Sequence, residues 1–249
     1  VDCLNFGSPY NRDVYGEFIS SVKALTEVSK RINIPIVAGN VSFFNQRSEE
    51  GKLVPIATSP IIGMVGILNN RNHHSTISFK HKGDMIFLLG KSRQCINSSE
   101  YAIRVLGIEK SAVPSFSFDE EIELLNVINQ LNKRELTRSM HNVGKGGLFF
   151  NLLESALPLQ FGFDIISDAE IRKDAFLFGE GQGRVVVSVA PEKEDQFVDF
   201  MMEMKFPFFS LGLVTKNEIS VDDEPFGEIS TYAAKIRNSL VKWENGEIN

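Results

Sequence analysis

Residues 34–45 read Ile34-Pro35-Ile36-Val37-Ala38-Gly39-Asn40-Val41-Ser42-Phe43-Phe44-Asn45. A short apolar run stops at Gly-Asn-x-Ser, and a further Asn follows three residues on. The pattern predicts a buried strand over residues 34–41 that carries small, ligand-capable groups at its C-terminal end, where open α/β sheets place their ligands. Upstream, residues 2–9 read Asp-Cys-Leu-Asn-Phe-Gly-Ser-Pro, a second polar strand end. Between the two, Val14, Phe18, Val22, Leu25 and Val28 recur at helical spacing, which predicts an amphipathic helix over residues 13–31. Strand end, helix and strand make one βα unit, so the two polar ends can face one cleft.

Further along, Gly51 marks a turn after the charged residues 47–50, and residues 60–68 read as a strand in which Gly63 and Gly66 permit close packing. The polar linker at residues 69–76 predicts a domain boundary. Beyond it, residues 83–90 read as a turn feeding a strand, and further strands are expected at 137–143, 161–166, 184–189, 209–214 and near 219–221. Helices are expected at 98–106, 118–132, 147–157 and 193–204. The second of these opens on Asp119-Glu120-Glu121, carboxylates that suit the positive end of a helix. Alternating helices and strands, with some strands adjacent, predict an α+β layer structure. Val1 leads directly into a strand end with no initiator Met, which reads as the C-terminal part of something longer.

With 249 residues the chain can bury a large core. A formal charge of −6 with no Lys/Arg run argues against nucleic-acid and anionic-membrane surfaces. The longest apolar stretches, such as residues 61–68, are too short to span a bilayer, and the start has no signal-peptide pattern. Cys3 and Cys95 are isolated, with no CxxC spacing, as expected for reduced thiols in a cytoplasmic protein. His73, His74, His81 and His141 show no zinc spacing beyond the adjacent pair, which lies in the polar connector.

Four motifs are chemically suggestive, each with a plainer alternative. Asp2 and Asn5 offer a carboxylate and an amide suited to Mg²⁺ or to a nucleotide hydroxyl or amine, and equally to local turn formation. Gly39 permits close backbone approach, while Asn40 and Ser42 share one face of an extended chain; a strand end with a bulge at Gly39 is the alternative. The turn His141-Asn142-Val143-Gly144-Lys145-Gly146-Gly147-Leu148 could hold an anion on its backbone N–H groups and Lys145, or be a tight strand-to-helix turn. It lacks P-loop spacing. Phe178-Gly179-Glu180-Gly181-Gln182-Gly183-Arg184 is a flexible loop near a ligand or a hairpin. The phenylalanines at 206–209 are read as core.

Asp-Cys-Leu-Asn-Phe-Gly-x-Pro at residues 2–9 and Pro-Ile-Val-x-Gly-Asn-Val-Ser at 35–42 closely resemble the phosphoribosylformylglycinamidine synthase family. Residues 60–66, Ser99-Glu100-Tyr101, and Phe178-Gly179-Glu180 with Arg184 agree in order and spacing. The resemblance covers essentially the whole chain and points to the C-terminal third of the small-type synthetase subunit. It implies the aminoimidazole-ribonucleotide-synthetase-like superfamily fold: the end of a second N-domain at 1–68, then a complete second C-domain, an α/β sandwich, at 77–249. It implies a ligase that uses ATP, Mg²⁺ and glutamine-derived ammonia to turn formylglycinamide ribonucleotide into its amidine in purine biosynthesis. By motif position Asp2 and Gly39 would contact ATP, Asn40 would ligate Mg²⁺ and Ser42 would contact substrate.

The family's catalytic histidines lie in a first half that these residues do not include, so the chain alone is expected to be inactive. The resemblance also implies partners: a glutaminase subunit, a small bridging subunit, and a homodimer or a pseudo-dimer with that first half. A departure is visible at residues 141–148, where the family's His-Asp-Val-Ser-Asp-Gly-Gly-Leu has Asn142 and Lys145 in place of both acids. The alternatives are a non-catalytic, structural nucleotide-binding half, or another ATP-dependent enzyme of the superfamily.

Overall fold

A computed structural model describes residues 1–244 of the chain, so the last five residues of the expected second domain lie outside it. The chain divides into two compact units, Val1–Asn69 and Asn70–Asn249.

The first unit contains β1 (Asp2–Asn5), α1 (Arg12–Ile32), β2 (Gly39–Ser42), β3 (Gln46–Glu49), β4 (Lys52–Pro55) and β5 (Ser59–Ile62). Strands β1 and β2 are parallel and joined through α1, while β5 runs antiparallel on the other side of β1. The side-chain oxygen of Asn11 caps α1 by accepting from the N–H groups of Asp13 and Val14. Asn33, in the left-handed region at φ 55°, ends the helix. The core of this unit is small. Leu4, Phe6 and Val14 are buried, with Phe18, Leu25 and Phe43 packed against them. Phe18 meets Phe6 and Phe43 edge-on at 5.4 and 5.2 Å, a favoured aromatic geometry.

Two strands differ from expectation for one reason. The run at 34–41 forms strand only from Gly39, and the run at 60–68 only as far as Ile62. Strand β1 has four residues, and its ladders begin and end with Asp2↔Gly39, Asn5↔Ser42, Asp2↔Ile62 and Asn5↔Ser59. Beyond those rungs the backbone pairing with this strand ends after Ala38, which accepts from Asp2, and Gly63, which pairs with Val1, and Pro35 has no N–H to give. The apolar side chains further out are exposed, among them Val37 at 79%, Val65 at 101% and Ile67 at 90%. The expected burial is therefore corrected: apolar character here does not coincide with a covered face. A hairpin of β3 and β4 across Glu50-Gly51 accounts for the charged segment that read only as a turn.

The second unit contains β6 (Met85–Leu89), α2 (Glu100–Arg104), α3 (Phe118–Lys133), β7 (Ser139–Asn142), α4 (Gly147–Ala156) and β8 (Gly162–Ile165). It continues with α5 (Lys173–Phe178), β9 (Val185–Val189), α6 (Glu194–Met204), β10 (Phe208–Thr215), β11 (Glu218–Val221), β12 (Glu224–Glu228) and α7 (Ile229–Glu244). Its seven strands form one sheet in the order β12-β11-β8-β10-β6-β9-β7. Neighbours are antiparallel except β11 and β8.

Both faces of this sheet are covered. Ile86, Leu88 and Val186 join Leu148 and Leu152 of α4 and Phe176 of α5. Phe87, Leu89, Val185 and Val187 join Leu124 and Leu131 of α3 and Phe197 and Phe200 of α6. Burial on two sides explains why β6 is a continuous apolar run, and β9 one broken only by Ser188, rather than alternating ones. At the start of β6 the buried Asp84 accepts from Arg138, whose other nitrogen reaches Glu192 at 2.9 Å. Burial nevertheless holds the Asp84 carboxyl above its ordinary range, against the pull of Arg138. No described helix is long and apolar enough to cross a membrane.

Candidate functional site

The β1–β2 pair sets the geometry of the four residues singled out in the sequence. Paired residues of a ladder project to the same side of a sheet. The register Asp2↔Gly39, Cys3↔Asn40, Leu4↔Val41, Asn5↔Ser42 therefore sorts the polar groups into two sets. Asn40, Ser42, Cys3 and Asn5 share one face. Asp2 and Gly39 lie on the other, the side on which Leu4 enters the core. The strands bring all four expected residues together, but not onto one surface.

Gly39 is required by its neighbour. A Cβ at this position would collide with the Asp2 carboxylate, so that carboxylate lies over the bare backbone of β2. Because β2 is an edge strand, Asp2 reaches the sheet edge there. On the opposite face the amide nitrogens of Asn40 and Asn5 point toward the Cys3 sulfur at 4.0 and 3.6 Å. This orientation leaves the side-chain oxygen of Asn40, an exposed residue, as an available acceptor. The Ser42 hydroxyl accepts from the Asn45 amide at 3.1 Å, and the same amide donates to the carbonyls of Ser42 and Phe6, each at 3.1 Å. The Ser42 O–H in turn donates to the Asn45 side-chain oxygen at 3.4 Å, so Asn45 fixes the end of β2.

The roles of Asn45 and Cys3 were not legible in the sequence. Three residues separate Ser42 from Asn45, but only the turn, with Phe44 at φ 62°, points the amide back. Cys3 joins the Asn40 face through the parallel register.

Among the described residues no group of three or more His, Cys, Asp or Glu side chains could enclose a metal ion. The Asn40 amide oxygen at this open edge suits a hard cation that takes its other ligands from waters and phosphate oxygens, the habit of Mg²⁺.

The Gly-rich turn of the second unit is filled from within. Gly146, at φ 84°, precedes α4, and its N–H donates to the Glu180 carboxylate at 2.8 Å. The same oxygen accepts from the N–H of Glu100 at 2.8 Å, at the start of α2. Lys145 pairs with Glu100 at 3.0 Å, and Asn151 closes the turn by donating to the Asn142 carbonyl at 2.7 Å. Glu180 occupies the place an external anion would take, so this turn joins structural elements. His141 follows suit, with Nδ1 at 3.0 Å from the Ser155 hydroxyl and Nε2 at 3.4 Å from Glu154.

Residues 81–223 match the family described as AIR synthase related protein, C-terminal domain. The PurL subunit of phosphoribosylformylglycinamidine synthase from Alkaliphilus metalliredigens is 34% identical over 221 residues, covering 89% of this chain and 29% of that protein. The PurL subunit from Thermoanaerobacter sp. is 32% identical over 222 residues, covering 89% and 30%. The chain thus spans under a third of these curated relatives. Among solved structures, phosphoribosylformylglycinamidine synthase II from Thermotoga maritima superposes with a TM-score of 0.63 at 12% identity, over 93% of this chain and 37% of that one. The hydrogenase maturation protein HypE of E. coli gives 0.60 at 17% identity, over 92% and 75%. These structural likenesses bear on the fold alone.

Proposed function

The chain belongs to the AIR synthase related family, and from that premise we propose that it forms one wall of the nucleotide and substrate site of a phosphoribosylformylglycinamidine synthase. The reaction is the ATP-dependent conversion of formylglycinamide ribonucleotide, with glutamine-derived ammonia, to formylglycinamidine ribonucleotide. The observation that carries this reading is the Asp2 carboxylate laid over Gly39, with the Asn40 oxygen turned outward from the opposite face of the same strand pair. The PurL relatives support it, as does a T. maritima PurL of the same fold complexed with ATP.

In this reading residues 1–68 end a second N-domain, and residues 77–249 form the second C-domain. Asp2 accepts from a hydroxyl or amine of the nucleotide, and the missing Gly39 side chain leaves room for that carboxylate over the strand, where the nucleotide contacts both. The Asn40 oxygen is held outward as a Mg²⁺ ligand, and Ser42, positioned by Asn45, contacts the substrate. Mg²⁺ bound with the nucleotide offsets phosphate charge during phosphoryl transfer. The residues that hold substrate against ammonia lie outside this chain, and a glutaminase and a small bridging subunit complete a cytoplasmic assembly. A second reading, a structural nucleotide-binding half, draws on the Lys145–Glu100 pair in the turn where the family carries acids.

Steady-state ADP formation by the complete synthetase separates the two. Asn40→Ala should lower the rate about a hundredfold, and Gly39→Ala should raise the KM for ATP by displacing Asp2. Unchanged kinetics in both variants reject the catalytic reading.

A further inference from the structure

A different part of the second unit has a charge imbalance that the reading above does not use. Arg184 is 4% exposed. Among the described residues its guanidinium donates to the carbonyls of Phe176, Gly179 and Gly181, all neutral groups. Desolvation and the nearby Arg93 guanidinium push it down to about 10. A buried cation without a counter-charge is costly. Carbonyl partners satisfy some of its N–H groups without neutralising it.

A cavity adjoins this group, lined by Lys91, Arg93, Cys95, Ser115, Gly181 and Arg184 among others. Its enclosed space is about 10 Å³, close to the size that holds one water or one oxygen atom. The carboxylates nearby do not balance the cations. Glu120 serves both Arg93 and Lys91, the latter at 3.6 Å. Glu121 lies by Gly183, 3.5 Å from where a Cβ would stand, with its carboxyl held up by burial and by Glu120. Three cations face two carboxylates, and neither carboxylate pairs with Arg184.

We propose that this cavity is an oxyanion site for a phosphoryl group, either inorganic phosphate or the terminal phosphate of a sugar phosphate. One oxygen enters the enclosed space against Arg184, and the others face Arg93 and Lys91 at the rim. Arg suits this role because its planar fork matches phosphate oxygens. Lys91 and Arg93 are partly exposed, with side chains at 62% and 33%, so the rim is open to solvent while Arg184 is not.

The test is titration of the chain with inorganic phosphate and, separately, ribose 5-phosphate, read by calorimetry and by amide NMR shifts at Cys95, Gly181 and Arg184. The expected result is saturable binding of phosphate with shifts confined to these residues. The double variant Lys91→Gln/Arg93→Gln, altered only at the rim so that the buried Arg184 stays in place, should bind roughly tenfold more weakly or worse. Circular dichroism checks that it is folded. Binding of both probes assigns a phosphate ester, and binding of inorganic phosphate alone assigns the free ion. No saturable binding, equal binding by the variant, or shifts scattered over the surface (an adventitious ion only) overturns the proposal. None of these readouts depends on synthase activity, so failure here is distinguishable from failure of the proposed reaction.

Discussion

The two units are built on opposite plans. In the second, a seven-stranded sheet is covered on both faces, and its central strands carry apolar side chains in both directions. In the first, three buried hydrophobics support a three-stranded sheet whose flanking segments expose Val37, Met64, Val65 and Ile67. Polar groups that could engage a ligand gather on the thin sheet, at an edge strand. The large sheet instead ties its glycine-rich turn internally through Glu180. Dense packing and open polar edges are thus separated along the chain: well-packed positions tolerate little change, and the exposed edge of the first unit leaves groups free to bind.

The sharpest test of that contrast is electrostatic. Arg138→Ala leaves Asp84, at 0% exposure, as a buried carboxylate without its cation. It should cost about 3–5 kcal/mol in urea unfolding, whereas Asp2→Asn at the exposed edge should stay within about 0.5 kcal/mol. Equal effects would break the comparison. Next comes truncation. Leu152→Ala, in the fully buried face of α4, should cost about 2–5 kcal/mol, while Leu53→Ala, 68% exposed on β4, should be nearly neutral.

The smallest effect concerns pH. Burial holds the His141 imidazole below its ordinary 6.5, against an opposing pull from Glu154. The folded state therefore keeps His141 neutral where the unfolded chain has begun to bind a proton. Below about pH 6.5 the unfolded state holds the extra proton, so stability falls on acidification. His141→Gln should flatten the urea midpoint between roughly pH 5 and 7, and an unchanged slope would remove His141 as the cause.

Helix α1 was legible from periodicity, because an amphipathic stripe with an Asn before it and an Asn after it depends on neighbours three or four residues away. The helices and central strands of the second unit were legible for similar reasons, apart from α5 and β12, which are short, and α7, in which polar and apolar residues are evenly mixed. The strands of the first unit were overextended. Hydrophobicity along residues 34–38 and 63–68 gives no information on whether a neighbouring backbone lies opposite, and β1 supplies only four rungs. Strand length was therefore set by a partner that local pattern does not reveal.

At the candidate site the division is similar. Residue identity and spacing alone determined that Asp2, Gly39, Asn40 and Ser42 are small or oxygen-bearing groups on two strands joined by a helix. Tertiary structure decided which of them share a surface. The parallel register places Asp2 and Gly39 on one face and Asn40 and Ser42 on the other. It also decided that Glu180 fills the turn at Gly146 and that Arg184 is buried without a counter-charge. The physical reason is range. Turn chemistry and helical periodicity act over a few residues, while register, burial and charge compensation depend on groups that only folding brings within a few ångströms.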